Sequence, residues 1–146
     1  MGLRDGMRRL GRCPRGHLPW IVGIAALATV LPLLIRFLSL PRLLDVLTPR
    51  ATRRPDAPDP STMVRYTDRI LGTRLWIYQP TCLKRALLLF HFLRRSGMPV
   101  SFCLGVQPTI TYTALDREGR LEGHAWVTYE GRPVYESEKN RNAGYK

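Results

Sequence analysis

Apolar positions repeat with the period of a helix between residues 79 and 97. They recur at spacings of three and four, which places them on one helix face: Leu83, Ala86, Leu87, Phe90 and Leu93. Thr81 is a residue type that caps helix starts. Gly97, with Pro99 two residues later, is typical of a helix end. The pattern therefore predicts one helix that begins after Thr81 and ends at Gly97.

Beyond this helix the apolar positions alternate, which is the pattern of β-strands. Alternation covers residues 100–106, 110–115, 121–129 and 132–136, with polar turns between these segments. Residues 61–71 return to a helical pattern that Ser61 or Thr62 caps and Gly72 ends. Helices followed by a meander of strands predict an α+β fold.

A second apolar segment, residues 18–35, contains no charged residue. It has the minimum length for a bilayer span. It also suits a signal peptide, with residues 26–28 resembling a cleavage site, although the apolar run continues past them. The third interpretation is a pair of packed or interfacial helices that break at Pro32. The first and third interpretations allow membrane association through residues 18–40.

Residues 48–60 contain four prolines and no large apolar residue, which indicates an extended linker. The chain then divides into a basic arm with an apolar helical segment (1–47), a linker (48–60) and a further domain (61–146). On this division, we expect residues 58–146 to fold without the N-terminal segment.

The net charge of the chain is +12, and arginine supplies all but three of its 23 basic residues. Such a charge suits nucleic acid, an anionic membrane or an acidic peptide. No nucleic-acid motif accompanies it, so nucleic acid is not an expected partner. Three cysteines are too few for a disulfide framework and indicate a reducing compartment, the cytoplasm. Cys13 and His17 form at most half of a metal site, so we expect no metal and no other cofactor.

Cys82 lies in the first turn of the predicted helix, where backbone N–H groups and the helix dipole favour a thiolate. His124 lies on a predicted strand. A thiol and an imidazole are the necessary parts of a Cys–His hydrolase, in which the histidine takes the thiol proton and later protonates the leaving amine. The alternatives are a buried, unreactive cysteine and a packed or solvated histidine.

The hairpin near residue 130 decides whether a carboxylate can orient His124. In a three-residue loop with Gly131 left-handed, His124 lies opposite Glu136 with the Cβ atoms roughly 5 Å apart. A triad of Cys82, His124 and Glu136 then follows. In a two-residue turn of Glu130 and Gly131, His124 and Glu136 lie on opposite faces of the sheet. The sequence permits both registers.

Several blocks in this order resemble the lasso-peptide B2 family, the transglutaminase-like cysteine peptidases of lasso-peptide biosynthesis. The resemblance covers residues 61–138. Its blocks are Cys82-Leu83-Lys84-Arg85-Ala86-Leu87, Leu93-Arg94-Arg95-Ser96-Gly97, Leu104-Gly105-Val106, Gly123-His124-Ala125-Trp126-Val127 and Gly131-Arg132-Pro133-Val134.

This resemblance implies a papain/transglutaminase-like core with Cys82 as nucleophile and His124 as base. The third catalytic residue of the family is usually an aspartate about twelve residues after the histidine, a position that Glu136 occupies here. Helix-start N–H groups and the Gln79 side chain are candidates to hold the oxyanion.

The activity that the resemblance implies is removal of the leader from a ribosomally made precursor peptide. The implied partners are that precursor, a separate leader-binding protein and the lasso cyclase that closes the ring. Two alternatives remain: an acyl transferase that passes the same thioester to an amine, and a membrane-tethered binding module without an active site.

Overall fold

The computed structural model describes residues 15–50, 55–73, 81–109 and 120–135, which form four helices and a small antiparallel sheet. The α+β prediction is confirmed. A 3-10 turn at Arg15–His17 precedes the first helix. The elements are α1 (Leu18–Phe37), α2 (Leu40–Leu47), α3 (Pro60–Leu71), α4 (Cys82–Arg95), β1 (Ser101–Thr109), β2 (Arg120–Tyr129) and β3 (Arg132–Val134). The strand order in the sheet is β1-β2-β3.

Helix α4 forms where the helical period predicts it, and both of its ends are confirmed. The Thr81 hydroxyl accepts a hydrogen bond from the backbone N–H of Lys84 at 3.3 Å. At the other end Gly97 has a φ of 97°, which a glycine adopts without strain. The buried surface is wider than the predicted stripe, because other elements cover α4 on several sides. Its buried residues are Ala86, Leu87, Leu88, Leu89, Phe90, Phe92 and Leu93.

Helix α1 continues through Pro32 to Phe37, so the predicted break at Pro32 is wrong. Proline inside a helix removes one backbone hydrogen bond and costs roughly 3 kcal/mol or more. Burial outweighs this cost here, since Leu31 is buried just before Pro32 and Leu34 packs on the core just after it. The helix ends instead before Ser39, and Pro41 lies in the first turn of α2, where proline is favoured.

The two N-terminal helices share one hydrophobic core with α4. The Trp20 and Phe92 rings meet edge to face at 6.4 Å. Gly23 lies so close to the same phenyl ring that a Cβ there would be 3.4 Å from Cε1 of Phe92. The buried residues that α1 and α2 contribute are Trp20, Ile24, Ala28, Leu31, Leu43 and Leu47. The three-part division of the chain stays a prediction, but this packing reverses our expectation for the fragment 58–146.

Helix α3 begins at Pro60 and is capped by Asp59, so the predicted caps Ser61 and Thr62 are wrong. Pro60 suits the first helical position because its missing N–H needs no partner there, and the residue before it becomes the cap. The Asp59 carboxylate accepts from the Ser61 hydroxyl, from the Thr62 hydroxyl at 2.7 Å and from the Thr62 N–H at 3.0 Å. These hydrogen bonds lower the pKa of Asp59 to about 2.

Strands β1 and β2 pair continuously from residues 101 and 128 to residues 109 and 120. β1 therefore extends past its predicted end at residue 106, while the predicted strand at 110–115 lies outside the described residues. Phe102 pairs with Val127, and its ring meets the ring of Phe90 on α4 at 6.3 Å. The face of the sheet that carries Phe102 and Val127 is thus the face that packs on α4.

The hairpin between β2 and β3 has a two-residue turn, because Tyr129 pairs with Arg132. Glu130 and Gly131 have φ values of 51° and 75°, both positive as in a type I′ turn. The three-residue-loop register, which would place Glu136 opposite His124, is therefore wrong. Tyr135 also has a positive φ of 57°. The strand alternation thus ends before Glu136, which lies outside the described residues.

His91 links α4 to the end of α2, with its Nδ1 atom 2.7 Å from the Leu47 carbonyl oxygen. Burial lowers the pKa of His91 below 6.5; the Leu47 hydrogen bond opposes this shift, and the charge of Arg95 adds to it. The folded state therefore binds the proton less readily than the unfolded state does. Above a pH of about 6.5 the residue is neutral in both states, and below it the folded protein loses stability.

We expect a His91→Gln variant to be less sensitive to mild acid than the wild type. Glutamine keeps an N–H donor for Leu47 but does not titrate, so Tm should fall less between pH 7.5 and pH 5.5. Thermal unfolding of both proteins, followed by circular dichroism, measures how Tm depends on pH. An equal fall in Tm for the two proteins would show that His91 is not the titrating group.

Candidate active site

Cys82 is the first residue of α4 and is partly buried. The first helical hydrogen bond of α4 runs from the Arg85 N–H to the Thr81 carbonyl oxygen at 3.0 Å. The thiol is therefore attached at the N-terminal end of the helix, where the backbone dipoles present their positive end. This position follows directly from Thr81, which has an extended backbone and caps the helix.

His124 lies on the central strand β2 and is buried, with 6% of its surface exposed. Its imidazole stacks on the Trp126 indole, with ring centroids 5.5 Å apart and planes inclined by 18°. Because side chains alternate along a strand, these two residues lie on the opposite face from Val127. The imidazole is thus held against an aromatic surface and is largely withdrawn from water.

Two contacts show that β1 runs back along α4 towards Cys82. The Arg94 guanidinium donates to the Val100 carbonyl oxygen at 3.0 Å. One turn earlier on the helix, Phe90 meets Phe102. Helix positions therefore decrease as strand positions increase, which is an antiparallel arrangement.

The height of His124 along α4 follows from this arrangement. From Phe90 back to Cys82 the helix rises about 12 Å, and from Phe102 forward to Gly105 the strand advances about 10 Å. Gly105 pairs directly with His124. His124 consequently lies at about the same height along α4 as Cys82, on the strand next to β1, and its side chain is on the sheet face opposite the one that packs on α4.

Gly105 makes room for the aromatic stack. A Cβ at this position would lie 2.8 Å from Cη2 of Trp126, which is closer than two carbon atoms can approach. From the sequence, Gly105 and Trp126 enter only as parts of a resemblance, and neither has an assigned role. Two signals were available: a glycine inside a strand often marks a close approach, and His124 and Trp126 are two apart on one strand face.

Cys82 and His124 are the predicted site residues that the structure describes, and they lie on α4 and β2, which pack against each other. Gln79 and Glu136 lie outside the described residues, so their roles stay predictions. Cys103 pairs with Trp126 on the sheet, and its thiol is 3.6 Å from the Thr128 hydroxyl. It lies in a strand, without the helix-start environment of Cys82.

A cavity of about 720 Å³ lies at the other end of α4. Its lining comes from Pro55, residues 57–60, the turn at residues 96–99, and Tyr129. The length of α4 separates this end from Cys82 by about 20 Å, so the cavity does not surround the thiol. Among the residues that the structure describes, no group of three His, Cys, Asp or Glu side chains could hold a metal ion.

Comparison with known proteins gives a match at the level of a family. No curated protein and no solved structure matches the chain. The profile of the transglutaminase-like superfamily matches residues 25–146, which run from within α1 to the end of the chain. The predicted transglutaminase-like core is confirmed by this match. Because the match covers far more than half of the sequence, the protein belongs to the transglutaminase-like superfamily.

Proposed function

We propose that the protein is a cysteine peptidase that removes the leader from a ribosomally synthesised precursor peptide during lasso-peptide biosynthesis. Membership of the superfamily supports peptidase or acyl-transfer chemistry at a cysteine. The observation that carries the proposal is the position of Cys82 at the start of α4. His124 is level with it along the helix, and its use as the base requires the imidazole to reach the thiol from the sheet face that carries Trp126. The choice of substrate rests on the sequence blocks that resemble the lasso-peptide B2 family.

In the proposed mechanism His124 accepts the thiol proton and Cys82 Sγ attacks the scissile carbonyl carbon. Backbone N–H groups at the start of α4 stabilise the oxyanion, together with the Gln79 side chain. The tetrahedral intermediate collapses to a thioester, and His124 gives its proton to the leaving amine. Water, deprotonated by His124, then hydrolyses the thioester and restores the thiol.

The reaction needs partners that recognise and use the peptide. We propose that a separate leader-binding protein presents the precursor, and that a lasso cyclase closes the ring on the peptide released by cleavage. The proposed compartment is the cytoplasm, since the few cysteines suit a reducing environment.

Mass spectrometry of a precursor peptide incubated with the full chain and the leader-binding protein tests the proposal. We expect two fragments whose masses add up to the precursor plus one water. An acyl transferase would instead form an amide-linked adduct with an added amine and lose ammonia or the leaving peptide. An adduct without hydrolysis, or an unchanged precursor, would contradict the peptidase assignment.

Gly105→Ala should lower the turnover number by roughly 10- to 100-fold, because small displacements of catalytic groups have effects of that size. The added methyl group forces Trp126 to move, and the imidazole stacked on it loses its position. Indole fluorescence reports the movement independently of turnover. Ala125, between the two stacked residues in sequence, faces away from them, so Ala125→Ser serves as a control with unchanged fluorescence. If Gly105→Ala shifts the indole fluorescence but keeps the wild-type turnover number, the stack on Trp126 does not position His124.

Glu136→Gln tests the third member of the proposed triad, which now rests on sequence position alone. Glutamine keeps the size of the side chain but loses the charge that steadies an imidazolium. We expect turnover to fall by roughly 10- to 1000-fold, less than the loss seen with serine nucleophiles because a thiol ionises more easily. Glu136→Asp should be milder. Glu130→Gln and Glu138→Gln are controls that should stay within about twofold; equal rates for Glu136→Gln and wild type would leave a dyad.

A further inference from the structure

Helix α1 has a second apolar face, directed away from the core. The exposed fractions of Leu33 and Phe37 reach 59% and 74%. The residues of this face recur every three or four positions and so form one line along the helix. We call them the outer stripe: Leu18, Val22, Ala26, Val30, Leu33 and Phe37. The stripe extends for about 28 Å, and within the described chain no other element covers it.

The length and composition of α1 would also suit a membrane span, with a mean hydropathy of 2.3. Its inner face argues against one. Trp20, Ile24 and Leu31 are buried in the core, and a helix surrounded by lipid would lose these contacts with α4. The arrangement that keeps the inner contacts leaves α1 parallel to the protein surface, with only the outer stripe available to an apolar partner.

The polar and charged groups around the stripe suit a lipid interface. The Thr29 hydroxyl, beside Val30, donates to the Ala25 carbonyl oxygen at 2.8 Å, so it does not require water. Charges begin only at the ends of the stripe. Arg36 is exposed in the last turn of α1, and Arg42 is exposed beyond the C-terminal end of the stripe. The sequence before α1 contributes Arg4, Arg8, Arg9, Arg12 and Arg15.

We propose that the outer stripe binds a lipid surface with anionic headgroups, and that α1 lies in the plane of that interface. Apolar side chains along one face with arginines at both ends are the features of interfacial helices. A second copy of the chain is a poorer occupant, because each copy carries a net charge of +12 and a symmetric contact would bring like charges together. The proposal does not depend on the peptidase activity.

Cosedimentation of the full chain with vesicles tests the proposal. One vesicle preparation contains phosphatidylcholine and phosphatidylglycerol in equal amounts, and the other contains phosphatidylcholine alone. We expect binding to the mixed vesicles and at least tenfold weaker binding to the neutral ones. The double variant Leu33→Glu/Phe37→Glu should bind the mixed vesicles at least tenfold more weakly than the wild type.

A matched control makes the same change in charge elsewhere. Thr73→Glu/Ser101→Glu replaces two exposed neutral residues off α1 and should keep most of the binding. If the first double variant does not fold, Leu33→Gln/Phe37→Gln removes the apolar surface without adding charge. Equal binding by wild type and stripe variants would overturn the proposal.

Two further outcomes would assign the stripe to another occupant. The partner is a second copy of the chain if the wild type binds neither vesicle type and is a dimer by light scattering, while the stripe variants are monomers. If the bound wild type resists extraction with alkaline carbonate, the helix spans the bilayer. Release by carbonate together with loss of binding in the stripe variants supports an interfacial helix.

Discussion

A Cys82→Ala variant should fold like the wild type and leave the precursor peptide uncut. The thiol is the proposed nucleophile, and removal of a nucleophile from a catalytic unit costs at least about 10³-fold in turnover. Cys82 is only partly buried at the helix start, so the loss of its sulfur atom should change Tm little. The initial rate of fragment formation, measured by mass spectrometry, gives the size of the loss.

Cys103→Ala is the matched control for this variant. It removes the other described thiol, which contacts Thr128 within the sheet, and turnover should stay within a few-fold of wild type. A second test uses non-additivity: His124→Gln should also lose most of the activity, and the double variant with Cys82→Ala should be no worse than the single ones. A Cys82→Ala variant that still cuts the precursor would contradict the nucleophile assignment.

Removing the N-terminal helices should unfold the rest of the protein, although the proline-rich segment predicts a separable domain. The fragment 58–146 lacks Trp20, Ile24, Leu31, Leu43 and Leu47, all buried against the remaining core. Burial of one such side chain contributes about 1.5–3 kcal/mol. Their combined loss is comparable with the whole stability of a typical domain, about 5–15 kcal/mol.

Circular dichroism and light scattering of the fragment 58–146 measure this outcome. We expect no cooperative thermal transition and a tendency to aggregate, because the apolar surface of α4 around Phe92 becomes exposed. The fragment 15–146 is the control, since it loses only the arginine-rich arm and keeps all of α1. A cooperative transition in 58–146 at the wild-type Tm would show that the N-terminal helices are a separate unit after all.

The elements that the sequence predicts correctly are those with signals close together in the chain. Thr81 and Gly97 mark the two ends of α4, and each acts through a hydrogen bond or backbone angle within a few residues. The predicted break at Pro32 is wrong because the contacts that keep α1 continuous come from distant parts of the chain. Asp59 is missed as a cap because Ser61 and Thr62 are equally good caps by residue type. Only the preference of Pro60 for the first helical position selects Asp59.

The candidate site divides in the same way. Cys82 and His124 are proposed as site residues from their residue types and their places in the predicted elements. The pairing that would bring in Glu136 depends on one residue of loop length, since Glu130 adopts a left-handed backbone that the sequence does not require. The spacing of His124 and Trp126 already places them on one strand face, but the space that Gly105 leaves for Trp126 depends on the register of β1 and β2, which sets Gly105 opposite the histidine.

The dependence of the core on α1 has a consequence for synthesis on the ribosome. α1 is complete when Phe37 has been added, but its contact Phe92 is added about 55 residues later, which takes several seconds at about 5–20 residues per second. During that interval α4 does not yet cover the inner face of the nascent helix, so both of its apolar faces are exposed. A chaperone, the signal-recognition machinery or a nearby bilayer can then bind a segment that resembles a membrane span, and the folded protein forms only if α4 displaces it from the inner face.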